Sequence, residues 1–265
     1  MGQSKRNPKN ILLNLMIVLC AIAMVVCGIL FALPLIEYRA GDALYLKLSR
    51  SAVSTPLPVP AEPNVQDNTP APTPLPMLQL DYEALQAAND EFYAWLYSEG
   101  TVINYPVVQG GNNSYYLGHL FSKERNSMGT VFVDARNKKD FSDRNTILYG
   151  HHMKNGSMFA SLVNYKEQTY YNVHPDMLLF TPAAVYRLEL FAGYVTDGYA
   201  TNEVYQTSFA TEADFLSLIE NAREASDFAC DVEVTAEDRI VTLSTCTYEY
   251  DEARYVVLGK LEKVA

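Results

Sequence analysis

The chain has 265 residues, with 20 Lys+Arg against 31 Asp+Glu for a formal charge of −11, and only four cysteines. A content of 49% hydrophobic residues excludes a wholly disordered chain, and the length admits one large domain or two small ones. The acidic balance argues against a nucleic-acid binder, which needs a basic face for phosphates, and so few cysteines cannot make a disulfide scaffold at this length.

Residues 1–10 contain Lys5, Arg6 and Lys9 and no acid, and Ile11 to Ile36 follows without a charge, with Asn14 its only strongly polar member. A bilayer core takes about 20 apolar residues in a helix, so residues 11–36 read as a transmembrane signal anchor. The cations before it predict a cytoplasmic N-terminus and an extracellular remainder at the cell membrane. The rival is a cleaved signal peptide, whose apolar core runs about 7–15 residues and ends in a small-x-small site. This core is longer, and Leu33-Pro34-Leu35-Ile36 is a poor cleavage site. Gly2 opens no myristoylation signal because position 6 is Arg. Cys20 and Cys27 read as small apolar helix residues. Without the three N-terminal cations, 17 Lys+Arg face 31 Asp+Glu, so the exported part carries −14. This acidity reads as solubility; steering of a basic tail is the functional alternative.

Residues 37–77 read as an extracellular Pro-rich stalk, since eight of the 13 prolines fall between Thr55 and Pro76. Each proline removes a backbone donor and fixes φ, so the stretch forms neither helix nor central strand. In polyproline form it is a spacer of up to roughly 70 Å, with a Pro-rich ligand for a partner domain as the alternative.

Residues 78–265 are the folded domain, long enough for one sizeable core. Asp81 to Tyr97 predicts a helix with Asp81 as N-cap and a stripe of Leu85, Phe92, Trp95 and Leu96. Strands are then predicted at Val102–Val108, Gly129–Val133, Thr146–Tyr149, Met177–Thr181, Val185–Val195, Arg239–Thr245 and Arg254–Lys263. Ser157 predicts a cap for a helix over Met158–Tyr165. Thr211 with Asp214 resembles a capping box ahead of Phe215, Leu218, Ile219 and Ala222. The class is mainly β with helical insertions, a barrel or sandwich.

Chemistry concentrates at strand ends. Cys246 closes Arg239–Cys246 before a polar turn, whereas Cys230 reads as a buried structural thiol. A Cys230–Cys246 disulfide stays open, because sequence does not give the required Cα separation. His151 and His152 follow a strand into a turn. Neighbouring histidines point apart, and there is no Cys-x-x-Cys or Asp-rich loop, so neither metal nor cofactor is expected. A His and a Cys far apart in sequence fit an acid/base and its nucleophile. Arg254 lies eight residues beyond Cys246; a hairpin-like return would bring its guanidinium beside the thiol. The bland alternative is a solvated surface arginine.

Thr242-Leu243-Ser244-Thr245-Cys246 with Arg254, together with Tyr149-Gly150-His151, resembles the signature of sortases, the membrane-anchored cysteine transpeptidases of Gram-positive bacteria. Class B is suggested by Gly100–Gly110, Tyr115-Tyr116-Leu117 with His119, and Tyr149–Phe159, over roughly residues 80–262. The resemblance implies a closed β-barrel of about eight strands, with an N-terminal helix and a helix between strands six and seven. It implies Cys246 as nucleophile, His151 as acid/base, Arg254 as substrate-orienting and oxyanion-stabilising residue, and Ser244 as a peptide contact. His152 occupies a variable position and is expected to be dispensable. Thr201 to Phe209 is expected to form part of the substrate groove. The implied reaction cleaves an LPxTG- or NPxTN-like sorting motif after Thr through a Cys thioester. It then transfers the surface protein to an amine of the lipid-linked peptidoglycan precursor. The alternatives are a pilus-polymerising sortase using a pilin lysine, an L,D-transpeptidase, and a non-catalytic wall-binding module. No N-terminal lid segment argues for the first, and no His-Gly pair precedes Cys246 for the second.

Overall fold

A computed structural model describes residues 8–52, 57–58, 76–199, 202–247 and 249–264. Helix α1 spans Pro8–Ala52, so it continues well past Ile36, where a stalk is expected. Residues 37–52 are rich in Ala, Leu, Lys and Arg, good helix formers. Tyr38, Leu44, Tyr45 and Leu48 form a helical stripe that packs on the domain core. The stretch expected to form a polyproline stalk lies largely outside the described residues. Its flanks, β1 (Leu57–Pro58) and β2 (Pro76–Met77), pair antiparallel, with Leu57 opposite Met77.

The expected helix over 81–97 is half helix and half strand. Helix α2 (Tyr82–Ala88) starts at Asp81, whose side chain accepts from the Ala84 N–H at 2.9 Å, and stops at Asn89. Strand β3 (Phe92–Tyr97) follows, with five of its six residues buried. Buried on both sides, Phe-Tyr-Ala-Trp-Leu-Tyr shows no alternation, and its apolar residues also fit a helical period.

The remaining strands are β4 (Asn104–Val108), β5 (Val131–Val133), β6 (Asn145–Tyr149), β7 (Asp176–Phe180), β8 (Val185–Asp197), β9 (Ile240–Cys246) and β10 (Ala253–Lys263). With β3 they close an eight-stranded barrel in the order β10-β8-β7-β3-β4-β5-β6-β9. The β4–β5 and β6–β9 pairs are parallel and the others antiparallel. The expected helix over Met158–Tyr165 is instead a 3-10 helix at Ala160–Lys166, followed by an unforeseen α3 (Gln168–Val173). Ser157 is no cap, because its hydroxyl bonds Asn155 Oδ1 at 2.7 Å. Helix α4 (Glu212–Ala225) lies between the sixth and seventh barrel strands. Its capping box has Thr211 and Asp214 exchanging hydrogen bonds at 3.1 and 2.9 Å.

Strand alternation sorts the barrel into two faces. Val241 and Leu243 of β9, with Tyr255 and Val257 of β10, join the main core. Ile240, Val256 and Leu258 turn the other way and pack with Phe215, Leu218, Ile219 and Ala222 of α4 in a second cluster. That outer face carries the candidate site.

Candidate active site

Cys246 shares the outward parity of Ile240, Thr242 and Ser244. On β10, Arg254 shares that of Val256 and Leu258. The register sets Arg254 directly opposite Cys246 and Val256 opposite Ser244. Opposed antiparallel residues have Cα atoms about 4.5–5.5 Å apart and side chains on one face. The β9–β10 connection therefore returns the guanidinium beside the thiol. Arg254 is held by Glu252 Oε2 at 3.0 Å and by the Ala253 carbonyl at 3.0 Å. Gly198 lies against it: a Cβ there would stand 3.1 Å from Arg254 Cζ and Nε, so a side chain at 198 would displace the guanidinium.

Strand β6 runs parallel to β9, with Tyr149 opposite Ser244. The Gly150 N–H donates to the Ser244 carbonyl at 3.1 Å, and Thr245 Oγ1 donates to the Gly150 carbonyl at 2.8 Å. This double tie delivers His151 and His152 to the end of β9 that carries Cys246. His151 Nε2 lies 2.8 Å from the Leu117 carbonyl, and its Cδ2 lies 3.1 Å from where a Cβ on Gly129 would stand. His152 Nδ1 lies 2.9 Å from the carbonyl of Cys246 itself, a contact that the sequence reading did not anticipate.

The segment expected to line a substrate groove contains a 3-10 turn, Glu203–Tyr205, that roofs this face. Thr201 lies outside the described residues. Asn202 donates to Thr196 Oγ1 on β8 at 2.7 Å. Asn145 Nδ2 donates to the Val204 and Gln206 carbonyls at 2.9 and 3.0 Å. Arg136 donates to the Tyr205 carbonyl at 3.0 Å. Tyr205 is buried, its hydroxyl 3.1 Å from Ser244 Oγ and its ring stacked on Tyr149 at 6.2 Å. Ser244 is thus buried under Tyr205. Burial pushes the Tyr205 phenol up to about 12, against the Ser244 hydrogen bond and the Arg254 charge.

Behind the turn sits an ion pair between a buried carboxylate and a half-exposed guanidinium. The Asp134 side chain is 0% exposed and accepts from Arg136 Nε and Nη2 at 2.9 and 2.7 Å and from Tyr149 OH at 3.0 Å. Burial alone would raise its carboxyl; the Arg136 and Tyr149 hydrogen bonds outweigh it and hold the group below the usual carboxylate range. Burial, then the Asp134 charge, raises the Tyr149 phenol. Asp134, Arg136 and Asn145 were not legible as site residues, because their links to the turn, Arg136 to Tyr205 and Asn145 to Val204 and Gln206, span 59 to 69 residues of sequence; Asn202 and Tyr205 fall within the stretch expected to line the groove, though not as named contacts.

Cys230 is a free thiol, as is Cys246, so the two are not bridged; Cys230 Sγ lies 3.4 Å from the Phe191 carbonyl. Among the described residues no three His, Cys, Asp or Glu side chains converge to hold a metal ion.

Comparison with known proteins points one way. The Sortase domain family matches residues 96–262. The chain is 39% identical to Sortase B of Listeria monocytogenes over 181 residues, covering 67% of this chain and 72% of that protein. It is 36% identical to Sortase B of Staphylococcus aureus over 187 residues, covering 69% and 75%. Among solved structures, the fold is similar to a Staphylococcus aureus sortase B–substrate complex, with a TM-score of 0.65 at 36% identity over 69% of this chain and 85% of that one. It is also similar to sortase B from B. anthracis in complex with AAEK1, with a TM-score of 0.70 at 32% identity over 87% of this chain and all of that one (100%).

Proposed function

The chain belongs to the sortase family, with sortases B as relatives, and from that premise we propose how this cysteine transpeptidase works. Its substrate is the C-terminal sorting motif of a surface protein, LPxTG- or NPxTN-like, cleaved after Thr. The observation that supports this most is the register that sets Arg254 opposite Cys246 while β6 carries His151 to the same rim.

An amide carbonyl resists attack, so the nucleophile must be thiolate and the departing amine must be protonated. Cys246 Sγ bonds to the carbonyl carbon of Thr. Arg254 donates to the oxygen that gains charge, an interaction worth about 2.7–4 kcal/mol for a well-placed donor. The C–N bond breaks as His151 gives its proton to the leaving amine, and an acyl thioester on Cys246 remains. An amine of the lipid-linked peptidoglycan precursor then attacks the thioester. Its proton passes to His151, and the thiolate leaves. The hydroxyl pair of Ser244 and Tyr205, both buried, ties the nucleophile strand to the turn that roofs the groove.

We further read residues 11–36 as a single membrane span with the N-terminus cytoplasmic and residues 78–265 as the extracellular catalytic domain. Among the described residues one helix, Leu12–Arg50, is long and apolar enough to cross a membrane, by length and composition. Substrate proteins and the wall precursor are tethered to the same bilayer, so an anchored enzyme meets both at raised effective concentration.

The test is a peptide-library cleavage assay on the full chain in detergent, with and without amine acceptors. Cleavage after Thr, a mass adduct of the acyl fragment on Cys246, and acceptor-dependent transfer are expected. Cleavage that persists in Cys246→Ala, or a product with no thioester on the way, overturns the reading.

A further inference from the structure

We propose that Tyr45, on the helix that leaves the apolar N-terminal stretch, is a positioning residue for His151. This part of α1 then belongs to the catalytic machinery rather than to a spacer. The inference rests on the acid/base role given to His151 above.

Helix α1 meets the domain along a polar and apolar seam. Gly41 is buried against Met128 and Leu120. Asn126 Nδ2 donates to the Glu37 carbonyl at 2.9 Å, and Ser127 Oγ donates to Glu37 Oε2 at 2.7 Å. Asn155 Nδ2 donates to Asp42 Oδ2 at 3.1 Å. The helix thus grips two loops: the one that ends at β5, and the one that follows His151.

Tyr45 is the buried centre of this seam, at 4% exposure. Its ring stands edge-on to Tyr105 at 5.4 Å. Its hydroxyl donates to the Gly129 carbonyl at 2.5 Å and lies 2.9 Å from Thr130 Oγ1, whose hydroxyl also donates to the His119 carbonyl at 2.9 Å. Burying a phenol is costly without a partner, and here the whole of its donor capacity goes to one backbone carbonyl.

Gly129 is the link to His151. It has a φ of +64°, and a Cβ there would stand 2.5 Å from the Tyr116 carbonyl and 3.1 Å from His151 Cδ2. Only glycine lets this backbone lie flat against the imidazole edge. The loop that carries Gly129 also supplies the other contact to the ring, the Leu117 carbonyl at 2.8 Å from Nε2. The Thr130 N–H ties the two halves of that loop by donating to the Tyr116 carbonyl at 3.0 Å. Both described contacts that set the His151 ring therefore come from one loop, and Tyr45 clamps that loop at its closest approach. Tyr45 lies nine residues past Ile36, about 14 Å along a helix. With the apolar stretch in a bilayer, the acid/base residue works close to the membrane surface.

The test uses the full chain in detergent micelles, labelled with 15N-histidine. His151 is assigned by the signal lost in His151→Ala, and His174, bonded to the distant Glu99 carbonyl, is the internal reference. Tyr45→Phe keeps the ring and removes the hydroxyl. The His151 titration midpoint is expected to move by about 0.3 pH unit or more, with His174 unmoved. Turnover of a quenched NPxTN-like peptide is expected to fall about 10-fold in kcat, with KM within two-fold and one limb of the pH–rate profile following the NMR midpoint. Thr130→Val, which keeps the Tyr45–Gly129 bond, is expected to leave the His151 titration in place. A superimposable His151 titration in Tyr45→Phe overturns the proposal whatever happens to turnover. So does an equal shift in Thr130→Val, which would mark general loosening of the seam. A wild-type chain that cleaves no peptide would refute the functional reading instead, and the NMR titration would still decide this one.

Discussion

Replacing Asp134 by Asn tests how the roof of the groove is held. The carboxylate accepts two guanidinium donors from Arg136 and the Tyr149 hydroxyl, and Arg136 in turn holds the Tyr205 carbonyl. An asparagine fits the space but offers one oxygen and turns an NH₂ toward a donor. Hydrogen bonds to charged groups contribute about 1.5–3 kcal/mol each, and two are lost or weakened. The Arg136 side chain is 49% exposed, so water takes over part of its share. The expected loss is about 2–3 kcal/mol, or roughly 5–10 °C of melting temperature at 2–4 °C per kcal/mol for a domain of this size. The turn over Glu203–Tyr205 loosens with it, so KM for the sorting peptide should rise about 5- to 10-fold with a smaller change in kcat. The pH sign follows from the depressed carboxyl. Its stabilisation is complete above the unfolded value, about 4, and is lost as pH falls through the lower folded value. The wild-type advantage over Asp134→Asn should therefore shrink below about pH 4. A melting temperature within 2 °C of wild type at pH 7 with unchanged KM would refute this account of the roof.

Four further substitutions separate the site residues. Arg254→Lys should lower kcat/KM about 100-fold, because a point ammonium cannot reproduce the planar fork; near-normal peptide cleavage would remove its oxyanion role. Gly198→Ala should lower kcat/KM about 10-fold by pushing the guanidinium from its place with little change in melting temperature; unchanged kinetics would show that the guanidinium has room to yield. His151→Ala should lose more than about 1,000-fold in turnover, whereas His152→Ala, which forfeits one hydrogen bond to the Cys246 carbonyl, should lose about five-fold. Reversed sensitivities would exchange the two roles.

Where structure follows from local pattern, the sequence was readable. The capping box at Thr211 and the stripe Phe215, Leu218, Ile219 and Ala222 define α4 because cap chemistry and helical period are both local. The β9 and β10 boundaries were nearly right for the same reason. Failures came where two periods overlap or where a partner is remote. Phe92–Leu96 is buried without a break, so the strand carries no alternation to distinguish it from a helix. The stripe Tyr38, Leu44, Tyr45 and Leu48 adjoins an apolar run, and only the domain docked on it shows that it is an interface. Lys166 pairing with Glu249 is equally invisible in sequence, although hydrogen bonds from Lys166 and then Thr247 hold the Glu249 carboxyl down to about 2.

The candidate site divides along the same line. Cys246, His151 and Arg254 are recognisable because each sits at a strand end beside a turn, and strand-end chemistry is written in short motifs. The residues that set their geometry have no motif. Period-two alternation turns Val241 and Leu243 inward and Thr242, Ser244 and Cys246 outward on one strand. The barrel core and the reactive face are therefore coupled through every residue of β9, and a one-residue slip would bury the thiol and expose the core. Register on both sides prevents that slip. Arg254 to Lys260 on β10 and Asn145 to Tyr149 on β6 pair with β9 along nearly its whole length. Thr242 adds a side-chain bond to Asn145 Oδ1 at 2.9 Å, and Asn145 is the residue that holds the Val204–Gln206 roof. The same amide thus pins the register of the nucleophile strand and the height of the groove above it.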